Sequence, residues 1–316
     1  MAGSFHDHPR KKTVRERWDT PLLRWLRFLW QAKFFYFGLP GPKAIDLWLW
    51  KDIVIRIIAF EQETEDPRNP RCALIELNRQ LALLGIRNAV FCGPMEEVIL
   101  RRQDYDHKPF SPDDFVTLYN LDFCGAITER IVTGGQSRCL RFEALREIAS
   151  LQRDFYRQTH LSRFVLFITT RDEFDERALS KGLRKPDLPQ ATKDFVARIG
   201  VPTRLGKGMA RSTELLRAFV FTFIRECFGG QNITSVFLPP IAYMGSSDAS
   251  PMVHFAVVCK MGPEEDPHVS ELQSADQFFD LRLLRATDTQ VQPIDDAGAG
   301  HRCELDPVAF VRNFAL

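Results

Sequence analysis

The chain has 316 residues, enough for about two ordinary domains or one large α/β unit with extensions. Hydrophobic residues make up 45%, charged residues 26% and aromatics 11%, which excludes a disordered, collagen-like or coiled-coil protein. With 42 Lys and Arg against 41 Asp and Glu, the net charge of +1 excludes strong attraction of the whole molecule to nucleic acid or membrane, so any basic surface is local.

Residues 1–17 are polar and basic, with Arg10, Lys11, Lys12, Arg15 and Arg17 clustered, and are expected to be flexible. From Trp18 the pattern changes: Leu22, Trp25, Leu26, Leu29 and Trp30 recur at three- and four-residue intervals, which predicts an amphipathic helix. Residues 1–33 thus read as a basic arm and helix. The aromatic run 34–37 predicts a buried strand, ended by Gly38-Leu39-Pro40-Gly41-Pro42, with Pro42 in the first turn of a helix through Trp50. Strand then alternates with helix: a strand over 54–60 ending at Glu61, a helix over 72–84 closed by Gly85, and a strand over 89–92 ending at Gly93. A strand over 115–121 ending at Asp122, a helix over 142–156 and a strand over 164–168 follow. Such alternation predicts a parallel sheet covered on both faces.

After Arg171 the text is more polar, and Pro186, Pro189, Gly200 and Pro202 mark a helical insertion at about 176–212. A strong helix is expected over 213–228. Two apolar runs, 233–243 and 252–259, have no helix between them and predict a terminal antiparallel β-hairpin with a long loop. Residues 262–316 read as a tail with short helices near 278–284 and 307–314. The body of the protein is therefore expected at 34–261, as a Rossmann-like α/β unit.

The seven cysteines are scattered and form no CxxC pair, so they are expected to be buried thiols in a reducing cytoplasm. The histidines are equally scattered, and no metal is expected. No apolar run reaches the ~18 uncharged residues of a spanning helix, and the chain is expected to be neither secreted nor in a membrane.

Open parallel sheets bind ligands beyond the carboxyl ends of their strands, so the loops after the strands are the candidate site. Gly38 and Gly41, with Phe37 before them, either let a ligand approach the backbone or simply make a turn. Glu61 ends the second strand, where nucleoside sites place an acid that accepts hydrogen bonds from ribose hydroxyls; the alternative is one exposed acid among several. Gly93 and Glu96 follow the third strand, and Glu96 or Glu97 either borders an adenine pocket or favours the start of a helix. After the fourth strand, Asn120-Leu121-Asp122-Phe123-Cys124-Gly125 places an amide, a carboxylate and a flat ring at the mouth of the cleft.

Together with the final hairpin, these junctions resemble the class I S-adenosylmethionine-dependent methyltransferases over roughly 34–261. The resemblance implies a mostly parallel sheet closed by an antiparallel strand. It further implies a glycine loop that cradles the methionine part of S-adenosylmethionine, Glu61 on the ribose, and residues after strand four facing the acceptor. Residues 120–125 are similar to the Asp-Pro-aromatic-Gly motif of enzymes that methylate exocyclic amines of bases, with Phe123-Cys124 replacing Pro-aromatic. By that likeness Asn120 or Asp122 accepts a hydrogen bond from the amine and Phe123 stacks on the base. Cys124 reads as a packed thiol rather than a nucleophile. The irregular glycine loop also resembles, loosely, the three-Cys-motif partner proteins of bacterial defence loci.

Two basic stretches are candidate nucleic-acid contacts: Lys11, Lys12, Arg15 and Arg17 in the arm, and Arg184, Lys185 and Lys207 in the insertion. A solvated face, or docking of the arm on a partner protein, are the other readings. The sequence thus points to a methyltransferase acting on nucleic acid or a base-like acceptor. The alternative is a catalytically inactive methyltransferase-like subunit of a larger assembly.

Overall fold

The computed structural model describes residues 8–62, 68–123, 125–129, 131–133, 136–173, 209–244, 251–262, 273, 281, 283–294 and 305–314. The helices are α1 (Pro9–Val14), α2 (Thr20–Trp30), α3 (Ile45–Leu49), α4 (Cys72–Leu84), α5 (Met95–Arg101), α6 (Leu140–Thr159), α7 (Met209–Gly229) and α8 (Pro307–Arg312). One 10-stranded sheet contains β1 (Phe34–Gly38), β2 (Val54–Glu61), β3 (Arg87–Cys92), β4 (Leu118–Asp122), β7 (Arg163–Arg171), β8 (Ile233–Phe237), β9 (Ile241–Met244), β10 (Pro251–Met261), β11 (Leu284–Ala286) and β12 (Val291–Pro293). β5 (Ile131–Thr133) and β6 (Gln136–Arg138) form a separate hairpin.

The strand order is β12-β11-β9-β10-β7-β4-β1-β2-β3, and β3, β2, β1, β4 and β7 run parallel. β1 lies in the middle, and all five of its residues are buried, as a strand covered on both faces requires. Alternation along the strands sorts the core into two halves. Phe35, Phe37, Phe60, Tyr119, Leu121 and Leu166 pack under α5, α6 and α7. Phe34, Tyr36, Ile57, Ala59, Leu118 and Phe167 pack under α2, α3 and α4.

β10 runs antiparallel to β7 and lies between it and the strands before it, the closing arrangement that the resemblance implied. The run expected as one strand over 233–243 is two, because Pro239 and Pro240 supply no N–H to the ladder. Both halves pair with β10, so they act as one strand broken at its middle.

Several elements differ from the sequence reading. The region after 262 is not only a tail: β11 pairs in parallel with β9 and β12 extends the edge. Leu284 and Ala286 are buried and Arg285 is exposed, the two-residue period of a strand where a helix end was expected. α3 starts only at Ile45, because Gly41 (φ 67°) and Ala44 (φ 48°) are left-handed and keep the preceding loop out of the helix. β4 starts at Leu118 rather than 115, because the Gln152 side chain takes both backbone groups of Val116, accepting from its N–H at 3.1 Å and donating to its carbonyl at 2.6 Å. Cys72 is exposed at the start of α4, against the expectation of uniformly buried thiols, whereas Cys92 and Cys259 are buried. The proposed insertion lies outside the described residues up to 208, as do Cys124 and Cys303. Among the described residues no helix is long and apolar enough to cross a membrane.

The arm is the largest departure. Residues 9–30 form one continuous helical stretch in which α1 and α2 are joined by a π-turn, Arg15–Asp19. Pro21 explains the turn. A proline inside a helix donates no hydrogen bond and clashes with the carbonyl four residues back, and the chain relieves this by widening one turn. The Thr20 N–H then reaches the Arg15 carbonyl, and the Thr20 hydroxyl reaches the same oxygen at 2.7 Å. Val14, Trp18, Leu22 and Leu26 bury one side of this helix in the core, so the arm is part of the fold.

Candidate cofactor and acceptor site

Strand order reverses between β1 and β4, with β2 and β3 on one side and β7 on the other, and the carboxyl ends at that point form the natural crevice of an open α/β sheet. Register brings the predicted residues there. Gly38 pairs with Ala59 of β2 and Asn120 of β4, so Glu61 and Asp122 each lie two residues further on at the same end. Alternate residues share a face, so Gly38, Glu61, Asn120 and Asp122 belong to the α2–α4 face. Thr169 stands beside Asp122, and His254 beside Thr169, extending the row.

Glu61 is partly buried, and among the described residues no cation pairs with it. Among the described residues its carboxylate accepts only the neighbouring Gln62 N–H, at 3.2 Å. Burial pushes its carboxyl up to about 7 despite that bond. A desolvated acid with open acceptor sites at the end of the second strand fits a vicinal diol, whose two hydroxyls would each donate to it. S-adenosylmethionine carries such a diol on its ribose, so Glu61 is the residue that would hold it.

The other predicted cofactor residues are placed differently. Phe37 points to the opposite face, into the core, with its ring 4.9 Å from Phe60 and 5.1 Å from Tyr119, and does not reach the crevice. Gly38 stands where a Cβ would overlap the Asn120 carbonyl oxygen, so its glycine serves the close approach of β1 to β4. Gly41 (φ 67°) and Gly93 (φ 125°) occupy backbone conformations that suit glycine, and the Gly93 N–H bonds to the Glu61 carbonyl at 2.9 Å, tying the ends of β2 and β3 together. Glu96 is buried with Arg141 Nε at 3.4 Å, so its charge is met inside the protein.

The residues after β4 are committed as well. Asn120 donates to Asp46 Oδ2 at 2.7 Å and to the Tyr36 hydroxyl at 3.3 Å. Asp122 forms a buried ion pair with Lys11. Phe123 is not available for stacking on a base: it is buried on the opposite face, and the Arg141 guanidinium lies 4.9 Å from its ring centre. Its N–H donates to Thr169 at 2.8 Å and continues the ladder, which is why its side chain turns away from that of Asp122.

Lys11 and Arg15, expected as surface contacts for nucleic acid, are both buried. Lys11 lies on Asp122, and Arg15 pairs with Asp46 in the buried first turn of α3. Burial pulls the Arg15 guanidinium down, but Asp46, Asp122, Tyr243 and Asp19 outweigh it and hold the group above its ordinary value. Lys12 and Arg17 are exposed, as expected. Arg184, Lys185 and Lys207 lie outside the described residues.

Sequence reasoning missed Asp19, Tyr36, Asp46, Thr169 and His254. His254 Nε2 lies 3.0 Å from Asp19 and its Nδ1 lies 2.9 Å from the Thr169 hydroxyl, all three buried. Burial raises the Asp19 carboxyl although His254 opposes it. The usable signal was the four-residue spacing of Lys11, Arg15 and Asp19, which places them on one side of a helix.

No family model matches the chain, and no curated protein matches it. Among solved structures the chain is similar to a magnesium protoporphyrin IX methyltransferase from Synechocystis with bound S-adenosylhomocysteine, at 11% identity over 80% of this chain and 86% of that one, with a TM-score of 0.37. It is also similar to an S-adenosylmethionine-dependent methyltransferase from Clostridium acetobutylicum (9% identity, 79% and 92% covered, TM-score 0.37). A third similar structure is an N-methyltransferase from Bradyrhizobium japonicum (10% identity, 81% and 99% covered, TM-score 0.36).

Proposed function

We propose that this chain is an S-adenosylmethionine-dependent methyltransferase acting on nucleic acid or a base-like acceptor, with Glu61 as its ribose-binding acid. The observation that carries the reading is Glu61 itself: a desolvated acid, free of cationic partners among the described residues, at the end of β2 two residues beyond the Ala59 that pairs with Gly38. When bound, the cofactor supplies an already activated methyl group. The protein's own work is then alignment: Glu61 fixes the ribose, and Asn120 and Asp122 accept from and orient a nucleophile at the neighbouring strand end.

A second reading has an observation of its own. Lys11 on Asp122 and Asp46 on Asn120 cover the acceptor side with the protein's own groups, as in a methyltransferase-like subunit that has turned its crevice to assembly. The two are separated by incubating the protein with methyl-labelled cofactor and total RNA or DNA. The transferase reading expects label in one of these pools, lost in Asp122→Ala. Cofactor binding with no label in either pool supports the subunit.

A further inference from the structure

α1 meets the crevice by means different from those that hold the rest of the arm. It is the first six residues of the continuous helical stretch 9–30, and its buried residues are Lys11, Thr13 and Val14. Lys11 and, one turn on, Arg15 reach Asp122 and Asp46, and Arg10 reaches Asp288 at 3.1 Å on the exposed side. From Trp18, inside the π-turn, onward the attachment is apolar: Trp18, Leu22, Leu23 and Leu26 are all fully buried. Buried ion pairs return little net stability, because desolvation offsets most of the Coulomb attraction. Up to Arg15 only Val14, among the described residues, adds apolar core contact to the ion pairs, so that segment is bound less firmly than the one from Trp18 on, and the change falls within the widened turn.

We propose that residues 8–15 are an autoinhibitory strap hinged at the π-turn. Docked, it occupies Asp122 directly and holds Asn120 through Asp46. Swung away while Trp18 stays anchored, it returns both carboxylates and the Asn120 amide to the mouth of the crevice. This rests on the proposed function, which gives Asn120 and Asp122 to the acceptor.

Hydrogen exchange followed by mass spectrometry on the full chain, without cofactor, tests it. The amides of residues 12–15 are expected to exchange about 100-fold faster than those of 22–26 in the same helical stretch, because they open locally rather than with the whole fold. In Arg15→Ala they are expected to accelerate a further 10-fold or so, with 22–26 unchanged. Equal protection of the two segments in the unmodified protein overturns the strap. So does an Arg15→Ala chain in which 22–26 lose protection together with 12–15, since the segment would then be an integral part of the core. Exchange is read with no cofactor present, so a failure to bind S-adenosylmethionine would count against the proposed function and leave this result standing.

Discussion

Replacing Phe37 by alanine is expected to lower the stability of the protein by about 3–5 kcal/mol, and replacing it by leucine by about 1–1.5 kcal/mol. The ring is 1% exposed and packs with Phe60 at 4.9 Å, Tyr119 at 5.1 Å and Phe110 at 6.1 Å. Truncation leaves a cavity at the centre of β1 that neighbouring strands, fixed by their ladders, cannot close. The midpoint of urea unfolding measures the loss. Phe37→Leu should keep the affinity of the protein for S-adenosylhomocysteine within about twofold, since the ring faces away from Glu61. A Phe37→Leu protein that is folded but no longer binds would return Phe37 to the cofactor and contradict its place in the core.

The second large effect concerns pH. Burial raises the Glu61 carboxyl from 4.5 to about 7, so the folded protein prefers the neutral acid. A raised value in the folded state means that the contribution to stability is fully present below about 4.5 and is lost as pH rises through about 7. The loss amounts to about 3 kcal/mol at most, by the usual conversion of a pKa shift to free energy. Glu61→Gln holds the neutral form at every pH. The variant should therefore match the unmodified protein near pH 4.5 and exceed it in stability by up to about 3 kcal/mol at pH 8. Urea unfolding of both proteins at the two pH values decides it, and a difference independent of pH would contradict the desolvated carboxylate. Ligand hydroxyls donating to an acid under this stress would relieve it.

Much of this was legible in the sequence, for identifiable reasons. β1, most of β2 and the core of β7 are buried on both faces, so each is a dense apolar run that needs no knowledge of its neighbours. The closing strand was readable because 233–243 and 252–259 follow one another with no helix between them. Glu61 was readable because its place is local: it is the residue at which an apolar run stops.

What stayed hidden depends on distant partners. Lys11 and Asp122 are separated by 111 positions, and the spacing that puts Lys11 on one side of a helix with Arg15 and Asp19 does not say that this side is buried. A lysine among other basic residues reads as solvent-exposed until the carboxylate that receives it is in view. Phe37 and Phe123 were misplaced by parity: each neighbours a residue of the crevice face, and the two-residue alternation sends each to the other side of the sheet. β11 was missed because three residues leave too short a pattern, and its partner β9 is broken from β8 by two prolines.

Under the proposed function, Glu61 holds a ribose at the carboxyl end of β2. Calorimetric titration of S-adenosylmethionine into the protein and into Glu61→Ala at pH 8 tests it most directly. One site per chain is expected in the unmodified protein and about 100-fold weaker binding in the variant, the order expected when hydrogen bonds to a charged, partly buried group are lost. Binding of equal strength in both proteins, or no heat of binding in either, would contradict it.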